Sequence, residues 1–134
     1  MDMLSEPDPK RLGFRGEPIV KGSETIYEII RREEGFSFGL ALVCIEGGWN
    51  EAHFHEKTGE VYVVVWGELE VRLADITWLE FPVWRKPNQC VSVGTSLVIH
   101  PRQGHQAIAS TLARAWFYVF TFPPFDRTDY HVLS

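Results

Sequence analysis

His53 and His55 stand two residues apart, and Glu60 follows after a short polar stretch. In an extended strand, residues two apart share a face, so the two imidazoles project the same way from adjacent pleats. A turn around Lys57, Thr58 and Gly59 returns the chain antiparallel and brings Glu60 alongside them. Two imidazoles and a carboxylate held like this form an incomplete coordination shell for a first-row divalent ion, whose fourth ligand must come from elsewhere. A His-x-His pair alone equally suits a polar surface strand. Glu60 runs directly into Val61 to Val65, which gives its carboxylate a buried setting and a need for a partner.

The wider stretch from Gly47 to Gly67 resembles the first motif of the cupin superfamily. That motif is a glycine, five residues, His-x-His, three or four residues, a glutamate, six residues and a glycine; Gly47, His53, His55, Glu60 and Gly67 fill its slots. The second cupin motif is met in part. Gly94 and His105 take its glycine and ligand positions, whereas His100 stands where proline is usual, Arg102 where glycine is usual, and Ala109 where asparagine is usual.

The resemblance spans about residues 36–123 and implies an all-β jelly roll, the double-stranded β-helix barrel, with His53, His55, Glu60 and His105 as metal ligands inside it. It further implies one divalent transition metal ion and a homodimer. Nitrogen and oxygen donors serve iron, manganese, nickel, zinc and copper alike. An ion held by three or four protein ligands keeps open positions for water, oxygen or a substrate oxygen.

Three functions are compatible with such a centre. The preferred one is an enzyme acting on a small organic molecule, with dioxygenase-type chemistry. The second is a sugar or sugar-phosphate isomerase, for which Arg102, Arg114 and Lys57 are the basic residues available to a phosphate. The third is a non-catalytic small-molecule binding or sensor module, since no acid–base group beyond the ligands stands out. Tyr62, His100 and Arg102 are the candidates for orienting a substrate. His100 is alternatively a fifth ligand, a donor behind a ligand, or a strand-end residue, and Arg102 is an anion clamp or a solvated loop charge. His131, near the end of the sequence, is expected at the surface.

The elements that must position these residues read as strands. Residues 25–32 and 36–45 are extended on either side of a turn at Glu33, Glu34 and Gly35; in the second, Phe36, Phe38, Leu40, Leu42 and Cys44 alternate with smaller residues. Residues 60–73 form a strand broken at Gly67 and apolar on both faces near its middle, which suits a sandwich that also dimerises. If Glu60 faces inward, parity takes Tyr62 and Val64 inward too.

Residues 77–87, with Trp78, Phe81 and Trp84 between prolines, read as a loop or an edge hairpin, and residues 92–99, 106–110 and 115–122 complete the strand set. By analogy with the family, Trp116, Tyr118, Phe120 and Phe122 line the cavity. Residues 1–23 read as an extended arm or tail, disordered or laid across a partner, because Pro7, Pro9, Pro18, Gly13 and Gly16 preclude a helix. Residues 24–134 then form a single domain.

Composition excludes several functions. The 134 residues carry a net charge of −5 with no basic block, which argues against nucleic acid and acidic partners. No apolar run is long enough for a signal peptide or a membrane span, so a cytoplasmic location is expected. Cys44 and Cys90 match no paired-cysteine pattern; buried reduced thiols are expected, with a disulfide between them as the alternative.

Overall fold

The computed structural model describes residues 5–79, 81–110 and 113–133. Twelve strands follow one another: β1 (Ile19–Lys21), β2 (Glu24–Ile30), β3 (Gly39–Glu46), β4 (His53–Phe54), β5 (Gly59–Trp66), β6 (Glu68–Ile76), β7 (Pro82–Trp84), β8 (Gln89–Ser92), β9 (Ser96–Ile99), β10 (Gln103–Ala109), β11 (Arg114–Phe122) and β12 (His131–Val132). The described helical residues are two short 3-10 turns, Arg32–Glu34 and Arg127–Asp129. Among the described residues no helix is long and apolar enough to cross a membrane.

The strands form two antiparallel sheets. The first runs β1-β2-β3-β11-β5-β9 and the second β12-β4-β10-β6-β7, with β8 also paired to β6. This is the all-β jelly roll that the sequence predicts. Its core is made by side chains that alternate inward from both sheets, among them Val43, Ile45, Tyr62, Val64, Leu69, Val71, Ile99, Ala107 and Phe117.

Parity corrects one expectation. Residues directly opposite in an antiparallel pair share a face. Thr121 pairs with Glu60 and Val119 with Tyr62, so inward Glu60 and Tyr62 carry Thr121, Val119 and Phe117 inward with them. The aromatic face of β11 therefore points away from Glu60 and Tyr62, and of its four residues only Tyr118 borders the cavity. Trp116 joins an outer cluster with Leu42, Cys44, Tyr27 and Tyr118, and Phe120 packs near Phe38.

The arm covers part of that outer face. Phe14 meets Tyr27 edge-on at 5.0 Å, and Glu6 binds the Arg114 guanidinium and accepts from Trp116 Nε1 at 2.6 Å. Described arm residues thus lie on the chain's own sheet, and Ile19–Lys21 pair with β2 as an edge strand. Within the stretch read as a loop or an edge hairpin, β7 pairs antiparallel with the end of β6 at the sheet edge, Ala74 opposite Trp84 and Ile76 opposite Pro82. The strand expected over 92–99 is instead two, parted by a turn at Gly94, whose φ is 86°.

One thiol also departs from expectation. Both cysteines are free, Cys44 buried and Cys90 exposed. On β8, Val91 points into the core, so its neighbour Cys90 faces out. Burial pushes the Cys44 thiol up to about 11, which leaves it unreactive near neutral pH.

Candidate metal centre

The two sheets meet at the predicted residues. His53 and His55 come from β4 and its exit, and His105 on β10 lies opposite His53 in the ladder. Glu60 enters from β5, in the other sheet. All four are buried, and one ligand atom from each lies within 4.8 Å of the rest. Two ligand atoms on one ion, each about 2.0–2.2 Å away, stand at most about 4.4 Å apart. The cluster closes on an ion with shifts of a few tenths of an ångström.

The tautomers decide what the cluster lacks. His53 Nδ1 lies 2.8 Å from the Glu51 carbonyl, His55 Nδ1 2.7 Å from that of Asp129, and His105 Nδ1 3.1 Å from that of Gln103. A carbonyl only accepts, so each Nδ1 keeps its proton and donates it, and a ring without a second proton offers a bare Nε2. Glu60 Oε1 stands 2.9 Å from His105 Nε2 and 3.5 Å from His55 Nε2. Glu60 Oε1 and His105 Nε2 are both buried without a hydrogen bond. With Nε2 bare, two buried acceptors face each other, and a cation satisfies both. The donor set fits a divalent transition ion.

Burial alone would raise the Glu60 carboxyl, but protonated imidazoles at His105 and His55 outweigh it and hold it well below the usual carboxylate range. Burial alone would lower His55, but Glu60 and Asp129 outweigh it. A bound cation would take the place of those protons. Burial, with His105 nearby, pushes His53 well below the usual histidine range and keeps it neutral, as a ligand must be.

A cavity of about 1460 Å³ opens beside the cluster and extends past β2 to the arm residues Leu12 and Phe14. His53, His55, Glu60 and Tyr62 share its wall with Glu24, Ile26, Val43, Val119, Phe125 and Tyr130. Of the three substrate-orienting candidates, only Tyr62 reaches this wall; its ring lies 6.2 Å edge-on from His105. His100 is exposed at the end of β9, outside the cluster. Arg102 donates from Nη1 to both Glu56 carboxylate oxygens, at 2.7 and 2.9 Å, and from Nη2 to the Thr77 carbonyl.

Several residues escaped sequence reasoning. Glu24 alternates inward on β2 with Ile26, and Asn50 Nδ2 donates to its Oε2 at 3.1 Å. Asn50 is itself fixed, because its Oδ1 accepts from the Ala107 amide at 2.8 Å. Burial, with the nearby Glu60 charge, raises the Glu24 carboxyl even against the Asn50 bond. Asp129 caps the loop between His55 and Glu60, and Tyr130 stacks on His53 at 4.4 Å. His131, expected at the surface, is half-buried because its ring stacks on Phe54 at 4.9 Å. Asn50 sat within the histidine stretch, and inward parity on β2 pointed to Glu24. Nothing local marked Asp129.

No protein-family model matches the chain, and no curated protein matches it in sequence. Solved structures do match its shape. KdgF from Halomonas sp. superposes with a TM-score of 0.64 at 17% identity, covering 84% of this chain and 93% of KdgF. Oxalate decarboxylase from Lactobacillus farciminis gives 0.65 at 20% identity over 88% of this chain. The capsular polysaccharide assembling protein CapF from Staphylococcus aureus gives 0.71 at 15% over the same share. The chain spans about a third of each of these last two, 33% and 34%. Identities this low speak for architecture and not for activity, and on architecture the three agree: this chain has the cupin fold.

Proposed function

We propose that this protein holds one divalent transition metal through His53, His55, Glu60 and His105 and acts with it on a small organic molecule in the barrel cavity. One observation carries the reading: three imidazoles, each with its Nδ1 proton committed to a backbone carbonyl, converge on a buried carboxylate with no hydrogen bond between Glu60 Oε1 and His105 Nε2. A bound ion would supply open coordination positions beside the cavity, for polarising a substrate oxygen or for oxygen chemistry.

Dioxygenase-type chemistry remains the preferred reaction. The wall formed by Ile26, Val43 and Val119 is apolar and favours an organic substrate shielded from water. Tyr62 offers its hydroxyl to orient that substrate. Glu24 favours a second reading, metal-assisted proton transfer as in an isomerisation. Its carboxyl lines the cavity, is gripped on one oxygen by Asn50, and has its pKa raised by burial toward the range useful for moving a proton. Of the basic residues expected to meet a phosphate, Arg102 is engaged by Glu56 and Arg114 by Glu6 and Glu46, neither on the cavity wall; the wall instead carries Arg15, Lys21, Arg31, Arg32 and Arg127. Pairing of two copies through the outer face of the first sheet, where Phe36, Val98 and Phe122 stand exposed, belongs to the same reading.

Elemental analysis of protein purified without added metal or chelator, beside a His53→Ala/His55→Ala variant, tests the proposal. Near-stoichiometric iron, manganese, nickel or copper in the parent, lost in the variant, is the expected result. Stoichiometric zinc would keep the site and turn the chemistry away from oxygen. Empty protein that also resists reconstitution would overturn the metal reading and leave a binding module.

A further inference from the structure

Beyond β11 the chain turns back across β4, and residues 125–133 grip the strand that carries two of the four ligands. β4 is only two residues long and has a single register pair with β10. The returning segment adds two more, His131 opposite Phe54 and Val132 opposite His53, and the Leu133 amide donates to the Ala52 carbonyl at 2.9 Å. Asp129 is the centre of the grip. Its Oδ1 accepts from the Glu56 amide at 2.7 Å, and its Oδ2 accepts from the amides of Lys57 and Thr58 at 2.9 and 3.2 Å and from Thr58 Oγ1 at 3.2 Å. Those amides belong to three of the four residues between His55 and Glu60. The Asp129 carbonyl accepts from His55 Nδ1, so one residue sets both the ring of one ligand and the path to another.

We propose that Asp129 is a positioning residue of the metal centre, so that metal affinity and closure of the 125–133 strap over β4 are one linked equilibrium. The inference rests on the metal reading above. A carbonyl on the far nitrogen of a ligand histidine fixes its tautomer and orientation. Here that carbonyl is placed by a carboxylate bonded to the loop it helps to build. An ion that prefers the closed geometry must stabilise closure by the same free energy by which closure strengthens its binding. Closure also places Tyr130 against His53 and Phe125 edge-on to His55 at 5.7 Å, so the strap forms one wall of the cavity beside the ion.

Co2+ titration against a competing chelator, with the visible Co2+ spectrum and amide exchange at residues 56–58 and 129–133, tests this on the full chain. Asp129→Ala should bind Co2+ about 10- to 100-fold more weakly, as loss of a partner behind a metal ligand does, with a changed spectrum. Asp129→Asn keeps one acceptor oxygen and should fall between. Co2+ should slow exchange at the 56–58 amides in the parent and not in Asp129→Ala. A folded Asp129→Ala protein with lower thermal stability but Co2+ affinity within about twofold of the parent would make Asp129 a loop cap only and overturn the proposal. If Asp129→Ala does not fold, Asp129→Asn decides by the same criterion. A parent that takes up no Co2+ sinks the metal reading and this inference together; a parent that binds while the variants match it sinks this inference alone.

Discussion

Arg102 holds a left-handed backbone, with φ at 63°, the only described non-glycine residue to do so. The second cupin motif places a glycine at this slot, and the turn has kept its conformation without it. The Arg102 amide still donates to the His55 carbonyl at 2.7 Å, and the Gln103 amide to that of His100 at 3.1 Å, so the turn delivers His105 to the cluster. The side chain offsets part of the backbone strain through Glu56 and Thr77. An exposed ion pair of this kind is worth about 0–1 kcal/mol. Arg102→Gly and Arg102→Ala lose the same side-chain contacts and differ only in the backbone. The glycine variant should therefore be the more stable of the two by about 0.5–1 kcal/mol, after allowing for the freer unfolded chain. Urea denaturation of both checks this; equal stability would mean that the turn relaxes when the guanidinium is gone.

The motif glycines act at the level of the elements they join. Gly47, Gly67 and Gly94 all have positive φ, at 83°, 74° and 86°. At Gly94 an added Cβ meets nothing within 4 Å, whereas at Gly67 it would stand 2.8 Å from the Arg114 carbonyl oxygen and 3.2 Å from the Ala115 Cα. Gly67 thus permits the β5–β6 hairpin to close directly against β11. Gly94→Ala should cost about 0.5–1 kcal/mol, the left-handed backbone penalty less glycine's freer unfolded chain. Gly67→Ala should cost roughly 2–4 kcal/mol, because the clash is with backbone that has nowhere to yield. Urea midpoints for the two variants decide whether contact or conformation dominates.

The same two kinds of constraint explain what was legible in the sequence. Strand parity and fixed glycine spacing are local, so His53, His55, Glu60 and the inward turn of Tyr62 and Val64 could be read directly. The turn of β11's aromatic face away from Glu60 was open to the same logic through the pairing of Thr121 with Glu60, but that register is a tertiary fact. Asp129 reaches the Thr58 amide across 71 positions, and Phe54 stacks on His131 across the sheet. Contacts of that range leave no periodic trace, so the strap was invisible. Gly94 stands alone as a turn signal within 92–99, and its φ of 86° is what reveals the break.

At the scale of the whole molecule, the cluster sits where the two sheets must be held together. His53 and His105 belong to paired strands of the second sheet, while Glu60 belongs to the first. An ion shared among them ties sheet to sheet, and unfolding must release it. Binding to the folded state alone stabilises by about 2.7 kcal/mol when free metal stands a hundredfold above its Kd. For a chain of this length that corresponds to a rise of roughly 10 °C in Tm. Metal-free protein should show that rise on adding Co2+ and lose it on adding chelator. His53→Ala/His55→Ala should unfold as a cooperative unit with no such shift, since Glu60 and His105 alone are too few ligands to hold the ion. An equal rise in that variant would place the stabilising ion elsewhere on the molecule. A rise confined to the parent ties the stability of both sheets to the four residues that join them.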